Sequence, residues 1–174
     1  MTDLADRLTR IEDENAIRRL VARYGFAVDD RDLDAVKALF APDGALRTAG
    51  GTSKGTGVDA VGEYFAGRFA ALGPTHHFTH DHVIDIDPAD PTRATGRVSA
   101  HAEVWRDGAP MLTALRYLDE YVKRDEGWRF LSRTQAYLYF VDVRQYPEAL
   151  GARLRVRLGP TEESWQPADW PAGL

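Results

Sequence analysis

Four of the chain's five histidines, His76, His77, His80 and His82, fall within the run Thr75-His76-His77-Phe78-Thr79-His80-Asp81-His82. Imidazole titrates closest to neutrality of the common side chains, so such a cluster can take and return protons at physiological pH. A β-type run, Val83-Ile84-Asp85-Ile86-Asp87, follows directly. The cluster therefore opens a strand, and its side chains project alternately to two faces. Strict alternation groups His76, Phe78, His80, His82, Ile84 and Ile86 against His77, Thr79, Asp81 and Val83, and the apolar members favour the first face as the buried one. One extra residue near Thr79 to His80 would invert this and turn His77 inward. Either His76 or His77 can thus be the base that faces a cavity. His80 and His82 have a spacing that suits one ion, with His101 or Glu103 as a third ligand. On an extended strand, however, His76 lies roughly 13 Å from His80, and no metal is expected.

Other residues carry weaker signals. Asp29 ends a helical pattern in Asp29-Asp30-Arg31-Asp32, where a negative charge opposes the helix dipole. An imidazole partner would offset that. Tyr24 lies at helical spacing from Leu20 and needs a partner for its hydroxyl if buried. His101 sits in Val98-Ser99-Ala100-His101-Ala102, a segment otherwise small or apolar, and is a candidate to line a cavity. Arg133, in Leu131-Ser132-Arg133-Thr134, is expected on the face opposite Phe130 and Ser132, either solvated or turned to a substrate. The glycines Gly50, Gly51 and Gly55 lack the Lys-Ser/Thr end of a phosphate loop. No serine nucleophile elbow is present, and the absence of cysteine excludes disulfides, thiolate ligands and a thiol nucleophile.

The elements that must position these groups are legible from periodicity. Apolar residues recur at helical spacing from Leu4 through Leu8, Ile11, Ile17, Leu20, Val21, Tyr24 and Val28. Asp32 caps a short helix that Pro42-Asp43-Gly44 ends, a short strand covers 45–48, and a flexible loop runs through 50–55. A third helix carries Val61, Tyr64, Phe65, Phe69 and Leu72 up to Gly73-Pro74. From His76 the period changes to two, with strands predicted over 76–87, 94–106, 111–124 and 128–143, joined by short turns and so paired antiparallel. Arg153 to Arg157 alternates like a strand with one solvated face. The prediction is an α+β fold in which a curved antiparallel sheet wraps around N-terminal helices.

Net charge of −5 with both signs interspersed gives no reason to expect nucleic acid or a membrane as partner. No apolar run is long enough to span a bilayer, the charged N-terminus has no signal-peptide core, and the cytoplasm is the default location. A main domain over 1–158 and a tail over 159–174 are expected. The tail, with Pro160, Pro167, Pro171, Trp165 and Trp170, is read as irregular, packed through its tryptophans and able to cover a cavity.

The order of elements and the residues at their ends resemble the SnoaL-like branch of the nuclear-transport-factor-2-like superfamily over about residues 5 to 142. The matching segments are Arg23-Tyr24-Gly25-Phe26-Ala27-Val28-Asp29, Phe40-Ala41-Pro42-Asp43-Gly44, His76-His77-Phe78, and Gly127-Trp128-Arg129-Phe130 with Arg133. The resemblance implies a cone-shaped barrel with a deep apolar cavity, usually dimeric through its sheet, in a family that includes scytalone dehydratase, bile acid 7α-dehydratase, a dehydrochlorinase and polyketide cyclases. It also implies a catalytic His–Asp dyad at His77 and Asp29, with Tyr24 lining the cavity. His101, Arg133 and His76 are candidate substrate-binding residues. The expected activity is that of a cofactor-independent lyase, dehydratase-like, acting on a small hydrophobic or aromatic, polyketide-like substrate. An isomerase or cyclase that begins with the same proton abstraction, and a non-catalytic ligand-binding protein, are the alternatives.

Overall fold

The computed structural model describes residues 3–159 and 161–170, so the expectations for Pro160, Pro171 and the last residues of the tail lie outside the described residues. Helix α1 (Leu4–Asp29) is one continuous helix that starts at Asp3, whose carboxylate accepts the Leu4 N–H. Its C-terminal half buries Ile17, Leu20, Val21, Tyr24, Ala27 and Val28 on one face. Leu4, Leu8 and Ile11 continue the same spacing but stand 73%, 54% and 56% exposed. Between the two halves Asp13 accepts from Trp128 Nε1 at 2.8 Å and Lys123 Nζ at 2.7 Å, which pins the helix to the sheet.

Helix α2 (Leu33–Ala38) is capped by Asp32, which accepts the Ala35 N–H. Strand β1 (Phe40–Thr48) and strand β2 (Ser53–Thr56) then form a hairpin, and helix α3 (Val58–Ala71) packs on it. The predicted flexible loop at 50–55 is thus partly a strand. Gly55 explains why a glycine-rich stretch serves here: a Cβ at that position would meet Val61 N at 2.7 Å and Ala60 carbonyl carbon at 2.8 Å. Only glycine lets α3 lie this close to β2.

Four long strands follow: β3 (Thr75–Ile86), β4 (Arg93–Arg106), β5 (Ala109–Arg124) and β6 (Gly127–Asp142). They pair antiparallel in sequence order, as their short turns require. The sheet as a whole is mixed, because β1, which lies outside the four strands expected to pair antiparallel, joins it in parallel. It runs β2-β1-β6-β5-β4-β3 and does not close, and β1 pairs with β6 in parallel. The antiparallel prediction came from turn lengths. Between β1 and β6 lie α3 and four strands, so no turn governs their relative direction.

The tail also departs from its reading as irregular. After the short helix α4 (Tyr146–Ala149), strand β7 (Leu154–Arg157) joins β6 in parallel and β8 (Trp165–Pro167) returns along β7. Trp165 packs on Tyr139, Val141, Ala114 and Ala149. Trp170 donates Nε1–H to the Ala136 carbonyl at 3.1 Å, and the Arg116 guanidinium lies 3.8 Å over its ring. Both tryptophans therefore cover the outer face of the sheet, away from the helices, and not the inner face that a lid would close. No helix among the described residues is long and apolar enough to cross a membrane.

Candidate active site

Asp29 and His77 meet where the C-terminal end of α1 crosses the start of β3. His77 Nδ1 is 2.6 Å from Asp29 Oδ1, the His77 backbone N–H donates to Asp29 Oδ2 at 2.7 Å, and Thr75 Oγ1 donates to Asp29 Oδ1 at 2.8 Å. Burial alone would raise the Asp29 pKa; the hydrogen bonds and charge of His77, with the Thr75 hydroxyl, outweigh it and lower it. The carboxylate that sits unfavourably at a helix C-terminus is thus compensated by three contacts from one strand. A carboxylate can only accept, so Nδ1 carries the hydrogen and Nε2 is left as the basic nitrogen. Nε2 has no hydrogen-bond partner among the described residues.

A bulge turns His77 inward. Thr79 pairs with Ala100 but His82 with Val98, so β3 holds one more residue than β4 over this stretch. Before the bulge, His77 and Thr79 face the helices; after it, His82, Ile84 and Ile86 do. Alternation without the bulge would have put His77 on the opposite side from the isoleucines.

The remaining candidates are dispersed. His76 is exposed on the outer face beside Phe78, with ring centroids 4.2 Å apart, and it borders the same open pocket as His77 without touching Asp29. His101, expected to line a cavity, is exposed on that same outer face, its Nδ1 3.0 Å from His80 Nε2. The bulge also separates His80 from His82, and among the described residues no three His, Asp or Glu are grouped so as to hold an ion. Tyr24 is buried and does not touch the Asp29–His77 pair. Its ring meets Phe40, Phe65, Tyr117 and Phe130 edge-on, and burial pushes its hydroxyl up to about 12. Arg133 is fully buried and held by Asp119, with Nε and Nη2 donating at 2.9 and 2.8 Å. Its guanidinium lies 3.9 to 4.3 Å over the rings of Tyr117, Tyr24 and Phe130. A second bulge at Leu131, between the Tyr121–Phe130 and Glu120–Ser132 pairs, puts Arg133 on the side of Phe130 rather than opposite it. Nη1 of Arg133 is buried with no partner.

Two groups missed at the sequence level belong to these clusters. Thr75 lies two residues before His77 and so shares its face, a signal that alternation carries. Asp119 is directly opposite Arg133 in the β5–β6 register, which no local pattern reveals. Tyr121 extends that cluster, donating to Asp119 Oδ2 at 2.8 Å while its oxygen lies 3.2 Å from His82 Nε2. Burial pulls His82 from its ordinary 6.5 down to about 4. As pH falls from 6.5 towards 4 the unfolded chain therefore binds a proton that the folded chain refuses, and stability is lost across that window. His82→Gln is expected to flatten the fall in urea midpoint over this range; an unchanged slope would show that His82 does not titrate against folding.

His77 lines an open pocket of about 540 Å3 that runs beside α1 over the free edge of β3, so that Gly25 and Phe26 border it from the helix and His76 and Phe78 from the strand. On the inner side, the cleft bounded by Val28, Arg68, Phe69, Leu72 and Thr75 has only about 10 Å3. The centre of the space that the resemblance assigns to a deep apolar cavity is filled by the rings around Arg133. A larger groove of about 1000 Å3 runs along the other flank of α1 past Glu12, Arg19 and Arg23, and it does not include Asp29 or His77.

Solved structures share this architecture. A scytalone-dehydratase-like protein of Novosphingobium aromaticivorans superposes with a TM-score of 0.70 at 23% identity, covering 88% of this chain and 98% of its own. The LinA-type3 hexachlorocyclohexane dehydrochlorinase of Novosphingobium barchaimii gives 0.68 at 18%, covering 79% and 94%. An NTF2-like protein with a cystatin-like fold, also from N. aromaticivorans, gives 0.63 at 26%, covering 79% and 92%. No curated protein matches the chain in sequence. The SnoaL-like domain family matches residues 9–134, from the first helix to just past the buried arginine of the last long strand, and with most of its length so matched the chain belongs to that family.

Proposed function

We propose that this chain is a cofactor-independent small-molecule lyase, a dehydratase or related eliminating enzyme, with His77 as general base. The observation that carries the reading is the 2.6 Å contact between His77 Nδ1 and Asp29, which leaves Nε2 unengaged. In the proposed step, Nε2 takes a proton from a carbon beside an electron-withdrawing group, the C–H electron pair forms the new double bond, and the leaving group departs with its own pair. Asp29 stabilises the imidazolium that forms, and the proton then goes to the departing hydroxide to give water. Tyr24 and Arg133 are buried in the ring cluster and do not line the His77 pocket, so in this reading they form the packed floor behind the site and do not donate to the substrate. The aromatic walls near His77 suit a hydrophobic or aromatic substrate. Elimination measured across a panel of such alcohols and halides tests the reading; activity that survives both Asp29→Asn and His77→Ala would overturn it.

We also propose that the protein works in the cytoplasm, where a chain with no disulfide is at no disadvantage, and as a homodimer. Phe78, Val83, Trp105 and Leu118 project from the outer face of the sheet and remain 40% to 49% exposed, an apolar group of the kind that partners cover. Light scattering is expected to give twice the 19.4 kDa chain mass at micromolar concentration; a monomer mass would refute the dimer.

A further inference from the structure

Two cations inside the fold have no carboxylate to hold them. Lys54 on β2 donates to Gln135 Oε1 and, at 3.5 Å, to the Tyr137 hydroxyl. Arg68 on α3 has one hydrogen bond among the described residues, from Nη1 to Tyr64 Oη at 3.5 Å. Both charges approach the Tyr64 ring, Lys54 Nζ at 5.5 Å and the Arg68 guanidinium carbon at 5.8 Å from its centroid. Neither cation forms an ion pair in the described residues, whereas Arg133, Arg144 and Lys123 each do. The ring faces of Tyr64 and Tyr137 attract these cations, but two like charges in a half-buried space still repel, and an anion that joins them would remove that cost.

The surroundings agree with this. Arg106, the third cation that acts on Lys54, is engaged by the Leu158 carbonyl and Asp107. The carboxylate in range, Asp169, is taken up by the Tyr137 backbone N–H at 2.7 Å. Burial, with Arg68 and Arg106 adding to it and Asp169 opposing, pulls the Lys54 ammonium down to about 7.

Arg68 also connects this pair to the site described above. Its other side bounds the narrow cleft with Thr75, and Thr75 donates to Asp29. A planar acid group that accepts from the Arg68 fork and from Lys54 would therefore be held by a residue that shares a cleft with Thr75, the hydroxyl bound to Asp29. We propose that Lys54 and Arg68 form a carboxylate-binding subsite, so that the substrate of the His77 site is an organic acid. The inference rests on the reading of His77 as the base, and it names the handle by which the substrate is held rather than the bond that breaks.

The test is calorimetric binding of benzoate, cinnamate and 2-naphthoate to the full chain, each against its uncharged amide. Below pH 7, where Lys54 is charged, at least one acid is expected to bind roughly tenfold or more tightly than its amide, the scale of a charge-assisted hydrogen bond. Lys54→Gln and Arg68→Gln, made separately and checked for an unchanged melting temperature, should each reduce that ratio several-fold, and Lys54→Arg should retain it. In the wild type the ratio should fall as pH rises through 7, and in Lys54→Arg it should not. His77→Ala should keep the ratio while losing turnover, so that failure of the subsite and failure of the base are told apart. Binding of no acid, equal binding of acids and amides, or a ratio that survives both glutamine variants would overturn the proposal.

Discussion

His77→Ala is expected to lower turnover by a factor on the order of 100 or more while leaving the fold intact, the usual scale for loss of a positioned general base. The side chain is partly exposed, and its backbone N–H, which survives the substitution, still donates to Asp29. Asp29→Asn should cost a similar factor for a different reason. The amide can still accept from Thr75, but it carries no charge to stabilise an imidazolium and does not select the Nδ1–H tautomer. The double variant should be little worse than either single one, since the two groups act as a unit. His76→Ala is the control on the same strand. Its ring borders the same pocket but does not touch Asp29, so the loss of turnover should be much smaller than in His77→Ala; a large loss there with retention in His77→Ala would assign the base to the other side of the bulge.

Asp119→Leu is expected to destabilise the fold by about 3–5 kcal/mol, because it leaves the Arg133 guanidinium buried, charged and unpaired. For a chain of this size that is a fall in melting temperature on the order of 10 °C. Tyr121 would lose its acceptor as well, keeping only its contact with His82. Arg133→Met made together with Asp119→Leu removes both charges and places apolar volume among Tyr24, Tyr117 and Phe130. The double variant should recover more than half of the loss. Melting temperatures or urea midpoints of the four proteins close the cycle. Additive losses would mean that the pair is not coupled and that Arg133 is held by its aromatic contacts alone.

Much of the architecture was legible because it rests on local periodicity. The shift from helical to alternating spacing near Gly73 located the boundary between helices and long strands, and the turns after Asp87, Arg106 and Arg124 set three antiparallel pairings. Asp29 and His77 could be named as partners from the resemblance, with the unfavourable helix-end position of Asp29 as the residue-level hint. Leu4, Leu8 and Ile11 share the helical spacing of the buried stripe and yet stand exposed, since spacing says which residues share a face and not whether anything covers it.

The sequence by itself determined which elements form, where most of them end and which residues could exchange a proton. Tertiary structure alone decided how those elements register. One extra residue in β3 chose His77 over His76, and one in β6 turned Arg133 towards the helices, because a bulge is fixed by the partner strand's pairing and not by local composition. The parallel contact of β1 with β6 and the joining of β2, α3 and β6 around Lys54 and Arg68 are of the same kind. They unite residues as far apart as Phe40 and Phe130, and no pattern of neighbouring residues encodes which distant side chains will share a space.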